Sequence, residues 1–469
     1  MSMRGKFLIY QLLPRLFGNL REDLLPGGSL ERNGSGCFED IDDAVLAELR
    51  KLSITHLWFT GVIDHATAGD EGVKGEAGSP YAIRDYYRVC DYMTRGNDAM
   101  QAYEALLKRT RVAGLVPLMD FVPNHVARCY ASDIQNFEDI NYYPGRGYDY
   151  DWSDTAKLNY EHTDTWSKMR DILLFWLGKG VGGFRCDMVH LVPVAFWQWV
   201  FPQVRAQYPE AIFIAEIYSP ELYGAYLDAG FDYLYDKVGL YDTLRNILDH
   251  KSPASDISLN WMRLGEHQLQ MLNFLENHDE QRLASAFFAG SPWRALPALY
   301  VSLFFNTVPY MLYFGQELGE AGMESEGFSG VDGRTTIFDF WSVASVRSWL
   351  KGLREGDGTR YLSTDACQLQ CLYRRLFATA MRPVFRYGKT FDLQYANPHN
   401  NEYDPRYHFS FLRGHEGEVE LVVTNFSEWD AKVKINLPAA AASYLDAPEL
   451  PTTVTVEVDA WNGVIIKLV

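Results

Sequence analysis

Eight short apolar runs recur along the chain, separated by segments whose apolar residues return at helical spacing, and this alternation constrains the fold more than any other feature. The runs are FLIYQLL (7–13), ITHLWFTG (54–61), GLVPLMDFV (114–122), VGGFRCDMV (181–189), AIFIAEI (211–217), FDYLYD (231–236), LQMLNFLEN (269–277) and PYMLYFG (309–315). Between them lie DDAVLAELRKL, DAMQAYEALLKRTRVA, TWSKMRDILLFWLGKG and PVAFWQWVFPQVRAQ, each with the i, i+3, i+4, i+7 pattern of an amphipathic helix. Strand–helix units in this number and order predict an α/β fold, a (β/α)8 TIM barrel.

Two intervals interrupt the alternation. Residues 63–97 and 126–163 are too long and too rich in Gly, Asp and Tyr to be simple turns, and both follow a strand, where barrel enzymes build their sites. The second is expected to be a small inserted subdomain after the third strand. Beyond residue 385 the period changes to two. YHFSFLRG, EVELVVTNF, AKVKINL, TVTVEVD and GVIIKLV predict an antiparallel β-sandwich over 386–469, with the barrel occupying 1–385.

Charge narrows the partners. Acidic residues exceed basic ones to give a net charge of −18, which repels phosphate backbones and anionic lipid, so neither nucleic acid nor a membrane surface is expected. No run reaches the roughly 18 apolar residues that span a bilayer. The N-terminal residues read as a first strand rather than a cleaved leader, which places the chain in the cytoplasm. The six cysteines are scattered and read as reduced core thiols.

Several predicted strands end in groups that are costly to bury without a task. Asp120 ends the third, with Asn124 and His125 after it; Arg185 and Asp187 lie on the fourth; Glu216 ends the fifth; His278 and Asp279 end the seventh. Their C-terminal ends face one mouth, so these residues converge. Several carboxylates around one pocket suit glycosidic cleavage, which needs one ionised acid as nucleophile and one protonated acid. Arg185, two residues before Asp187 on one strand face, can hold that acid ionised, making Asp187 the nucleophile candidate. The apolar approach Ile212–Ala215 raises the Glu216 pKa and makes it the general acid and base.

The same segments resemble the conserved regions of the α-amylase family, glycoside hydrolase family 13: DFVPNH (120–125), GFRCDMVH (183–190), IAEI (214–217) and FLENHD (274–279), in order and each on its own predicted strand. The resemblance implies Asp187 as nucleophile, Glu216 as acid/base and Asp279 as a third, substrate-distorting acid. It implies sugar contacts from Arg185, His125, His278 and the stacking ring of Tyr81. Ser79 stands where the family commonly has His, and TAKLN (155–159) is similar to a motif of the neopullulanase-like branch with Ala156 in place of Pro. Asn124 resembles a calcium ligand of many members, with the carbonyl near His190 and Asp149, Asp151 and Asp154 as further oxygens, so a structural calcium is an optional group and no cofactor is required.

These residues also have purely structural readings. Asp120 and Asn124 could cap the loop after the third strand, and His125, His190 and His278 lack zinc-ligand spacing. In the long loops Tyr142, Tyr143 and Trp152 are further stacking candidates, and EGFSGVDGRTTIFDFW (326–341) is expected to border the groove. The expected activity is retaining hydrolysis of α-1,4-glucosidic bonds in α-glucan oligosaccharides of the maltodextrin type. The alternatives are a 4-α-glucanotransferase or a cyclomaltodextrinase/neopullulanase-type activity, and an inactive carbohydrate-binding homologue.

Overall fold

The computed structural model describes residues 5–130, 152–328 and 330–469. Eight parallel strands close into a barrel. In chain order they are Leu8–Leu12, His56–Phe59, Val116–Phe121, Gly183–Cys186, Ile212–Ala215, Tyr233–Tyr235, Met271–Phe274 and Tyr310–Tyr313, one within each of the eight apolar runs. The first strand pairs with the eighth and closes the ring, with Leu8 opposite Tyr310 and Gln11 opposite Tyr313. Nearly every strand residue is buried, because inward side chains fill the barrel and outward ones meet the helices.

The helices follow from local chemistry. Asp42 and Asp98 cap Asp43–Lys51 and Ala99–Val112 by accepting from the Val45 and Gln101 amides. Thr163–Lys179 stops at Gly180, whose φ of 108° is open to glycine at little cost. No helix among the described residues is long and apolar enough to cross a membrane.

The interval after the second strand forms an antiparallel ribbon, Ile63–His65 against Ile83–Val89. After the third strand, His125–Ala127 pairs with Thr155–Lys157. Most of the expected insertion, including Tyr142, Tyr143, Asp149 and Asp151, lies outside the described residues.

All five antiparallel runs of the C-terminal region form strands, and a sixth, Lys389–Asp392, joins them unannounced by the sequence pattern. The larger sheet runs Lys389–Asp392, His408–His415, Glu418–Asn425, Asn462–Lys467, and the smaller pairs Ala431–Asn436 with Thr453–Val458. Leu412, Leu421 and Val423 of the first sheet share a core with Val433, Ile435 and Val456 of the second. On the opposite face, Phe409, Phe411 and Val422 join the barrel core, and Arg413 donates to the Phe304 carbonyl at 2.7 Å. The cysteines need a correction. All six are free, but only Cys37, Cys90 and Cys186 are buried; Cys371, on the outer face of a helix, is exposed.

Candidate active site

Arg185 organises the C-terminal mouth of the barrel. It sits opposite Ile214 in the register between the fourth and fifth strands, which brings its guanidinium beside acids from both. One terminal nitrogen donates to Asp187 Oδ1 at 2.6 Å, the other reaches Glu216 Oε1 at 2.6 Å, and Asp120 Oδ1 stands 3.6 Å away. The sequence reading pairs Arg185 with Asp187 alone. In the structure the cation is shared, and its side chain is 1% exposed with the rings of Trp58, Tyr81 and Tyr235 around it.

Several carboxyls around one buried cation cannot all ionise easily. Burial raises Asp187 and Glu216 above their ordinary values, and for both it outweighs the opposing pull of Arg185. The neighbouring Glu216 carboxyl also pulls Asp187 down. Asp120 is pushed up to about 7 by burial against Arg185, and Asp279 to about 8 by burial and then by the charge of Glu216.

Glu216 is held at both oxygens. Its Oε1 accepts from Tyr218 Oη at 2.7 Å as well as from Arg185, and its Oε2 accepts the Met188 amide at 2.9 Å. Met188 has φ 43° and ψ 46°, a left-handed conformation rare for a side-chain-bearing residue and costing about 1–3 kcal/mol. Asp187 Oδ2 has no hydrogen-bond partner among the described residues, and His125 Nε2 is 4.0 Å from it. Asn124 donates to His125 Nδ1 at 3.1 Å, so the neutral ring, whose pKa burial lowers to about 4, carries its proton on Nε2.

His278 is fixed in the same way. Gln11 donates to its Nδ1 at 2.8 Å, which leaves the proton on Nε2, next to Asp279 Oδ2 at 3.1 Å and the Tyr81 hydroxyl. The Tyr81 ring stacks on that imidazole at 5.2 Å and 25°. Trp58 donates to Asp120 Oδ2 at 3.2 Å, and Tyr81 Oη to Asp120 Oδ1 at 3.3 Å, so Asp120 supports the floor.

Asp187, Glu216 and Asp279 line one cavity of about 660 Å³ with Tyr81 and His125. Arg185 and His278, each 1% exposed, stand behind this surface. Trp152 and Ser79 line it too, and the loop after the eighth strand contributes Phe328, Arg334 and Phe338. A cavity of about 630 Å³ at the opposite end of the barrel, around Phe7, His56 and Ile212, holds none of the strand-end acids. The strand-end acids therefore gather at the first. Sequence reasoning missed Gln11, Trp58, Tyr218 and the Met188 amide; only Gln11, a polar residue inside the buried strand LIYQL, carries a visible signal.

The donors for a cation do not form a set. Asn124 Oδ1 is a buried oxygen without a hydrogen-bond partner among the described residues, as a calcium ligand would be. Asp154, however, faces Lys74 at 3.5 Å, and Asp149 and Asp151 lie outside the described residues. Among the described residues no group of three or more His, Cys, Asp or Glu side chains is arranged to hold a metal ion.

Residues 148–342 match the family model described as "Alpha amylase, catalytic domain". Over that segment the chain is similar to the α-amylase family. Among curated relatives, the chain is 23% identical over 317 residues to "Alpha-amylase 3" of Dictyoglomus thermophilum, covering 60% of this chain and 59% of the relative. It is 23% identical over 339 residues to "Alpha-1,4-glucan:maltose-1-phosphate maltosyltransferase" of Cereibacter sphaeroides, covering 66% of this chain and 52% of that one. It thus spans about half the length of the curated relatives it matches. The solved α-amylase from Lactobacillus plantarum shares the fold over 100% of both chains, with TM-score 0.71 and 22% identity. Asp187, Glu216 and Asp279 fall inside the matched segment, whereas Tyr81 and His125 precede it.

Proposed function

We propose that this chain hydrolyses α-1,4-glucosidic bonds of maltodextrin-type α-glucans with retention of anomeric configuration. The observation that carries the reading is the double grip of Arg185 on Asp187 and Glu216, which brings a nucleophile and an acid within the span of one guanidinium. Retention needs carboxyl groups about 5–5.5 Å apart, whereas inversion needs about 6.5–9.5 Å to admit a water. A pair that shares one guanidinium suits retention.

In this mechanism Asp187 Oδ2, the oxygen without a donor, attacks the anomeric carbon and forms a glycosyl ester, while Glu216 protonates the departing glycosidic oxygen. Glu216 then takes a proton from water, whose oxygen attacks the anomeric carbon and releases Asp187. Asp279 lines the cavity beside them, placed to hydrogen-bond a sugar hydroxyl, and Tyr81 supplies the stacking face. Residues 1–385 act as the catalytic unit, with 386–469 as its support.

Incubation with maltoheptaose, followed by NMR within seconds of cleavage, is expected to show the α-anomer first; first-formed β-anomer overturns the retaining assignment. A second reading, glucan transfer to another sugar, is favoured by the relative named as a maltosyltransferase. Products longer than the substrate from maltotriose alone select it. Absence of any reducing-sugar release selects an inactive binding protein.

A further inference from the structure

We propose that Tyr218 is a positioning residue that, with Arg185, fills Oε1 of Glu216 and so assigns the catalytic proton to Oε2. The inference rests on Glu216 being the acid of the reaction proposed above. A carboxylate oxygen has two in-plane lone pairs. On Oε1 one is taken by Arg185 Nη2 at 2.6 Å and the other by Tyr218 Oη at 2.7 Å. On Oε2 the Met188 amide at 2.9 Å takes one, and the second is left for the proton.

Tyr218 lies two residues beyond Glu216, past the end of the fifth strand at Ala215, and its ring forms part of the cavity wall. Burial pushes its own phenol well above the ordinary range, so it remains a donor at every pH at which the enzyme works. Donation to the ionised carboxyl stabilises the charged form and opposes the rise caused by burial. The other groups that face Glu216 are Arg185 from the fourth strand and Asp187 just past its end, Asp120 from the third, Tyr235 from the sixth, and His125, His190 and Asp279 from the segments that follow the third, fourth and seventh strands. Removing the Tyr218 hydroxyl changes the donor count on Oε1 without changing the charge of the site.

The test is the pH profile of kcat/KM on maltotriose and on α-maltosyl fluoride. Tyr218→Phe is expected to move the basic limb on maltotriose upward by about one pH unit, with the acid limb unmoved. Site-specific 3-fluorotyrosine at position 218, a stronger donor of nearly the same shape, is expected to move it downward. Neither change should shift the fluoride profile, because fluoride leaves without protonation. Loss of activity by the same factor at every pH, or displacement of the limb in one direction by both replacements, overturns the inference. Equal losses on both substrates for Glu216→Gln remove the assignment of Glu216 as acid, and the inference falls with it.

Discussion

Glu276 and Arg282 form an ion pair closed to water, with 3.0 Å between Oε2 and Nη1 and side chains 1% and 0% exposed. The second oxygen of Glu276 accepts the Leu283 amide at 2.6 Å, and Arg282 also donates to the Phe314 carbonyl and Thr335 Oγ1. This pair fastens the turn bearing His278 and Asp279 to the end of the eighth strand. Removing one partner leaves a buried charge uncompensated, so Glu276→Gln is expected to cost about 3–5 kcal/mol. Urea unfolding reads this as a lowered midpoint, and an unchanged midpoint contradicts it.

Asp187→Asn keeps volume and fold but cannot form the glycosyl ester. Its kcat is expected to fall by more than about a hundredfold, a loss above about 2.7 kcal/mol, while its circular-dichroism spectrum at the assay temperature stays that of the folded protein. Residual activity above about one hundredth of the parent value counts against Asp187 as nucleophile.

Glu216→Gln loses the proton donor but keeps the site's shape. Activity on maltotriose is expected to fall far more than activity on α-maltosyl fluoride, whose leaving group needs no acid. The ratio of the two losses is the measurement.

Asp279 gives a pH signature. Its folded pKa, raised to about 8 from an ordinary 3.8, means the native state keeps a proton that the unfolded chain releases across that interval. Stability from this group is present at low pH and declines as pH rises toward 8. Asp279→Asn has no proton to lose, so its Tm advantage over the parent protein should grow from pH 4 to pH 8. A Tm difference flat across that range shows that Asp279 is not perturbed in this way.

The barrel was legible because each strand announces itself as an apolar run, and the acids because charge at the end of such a run is conspicuous. Lys389–Asp392 was not, since KTFD is short and mostly half-exposed and shows no clear alternation. The grip of Arg185 on Glu216 depends on register between neighbouring strands, and the Gln11–His278 bond joins residues separated by 267 positions. Spacing along one chain encodes neither. Tyr218 escaped for a different reason: past a strand end no periodicity tells which way a side chain points.

The Met188 contact to Glu216 is made by a main-chain amide. No exchange of side chain deletes it, except proline, which lacks the N–H and cannot adopt a φ of 43°. Asparagine or glycine would serve as well there and relieve strain. Position 188 can therefore drift in identity while the acid keeps its partner, so a comparison of letters would score as variable a site whose geometry is held fixed.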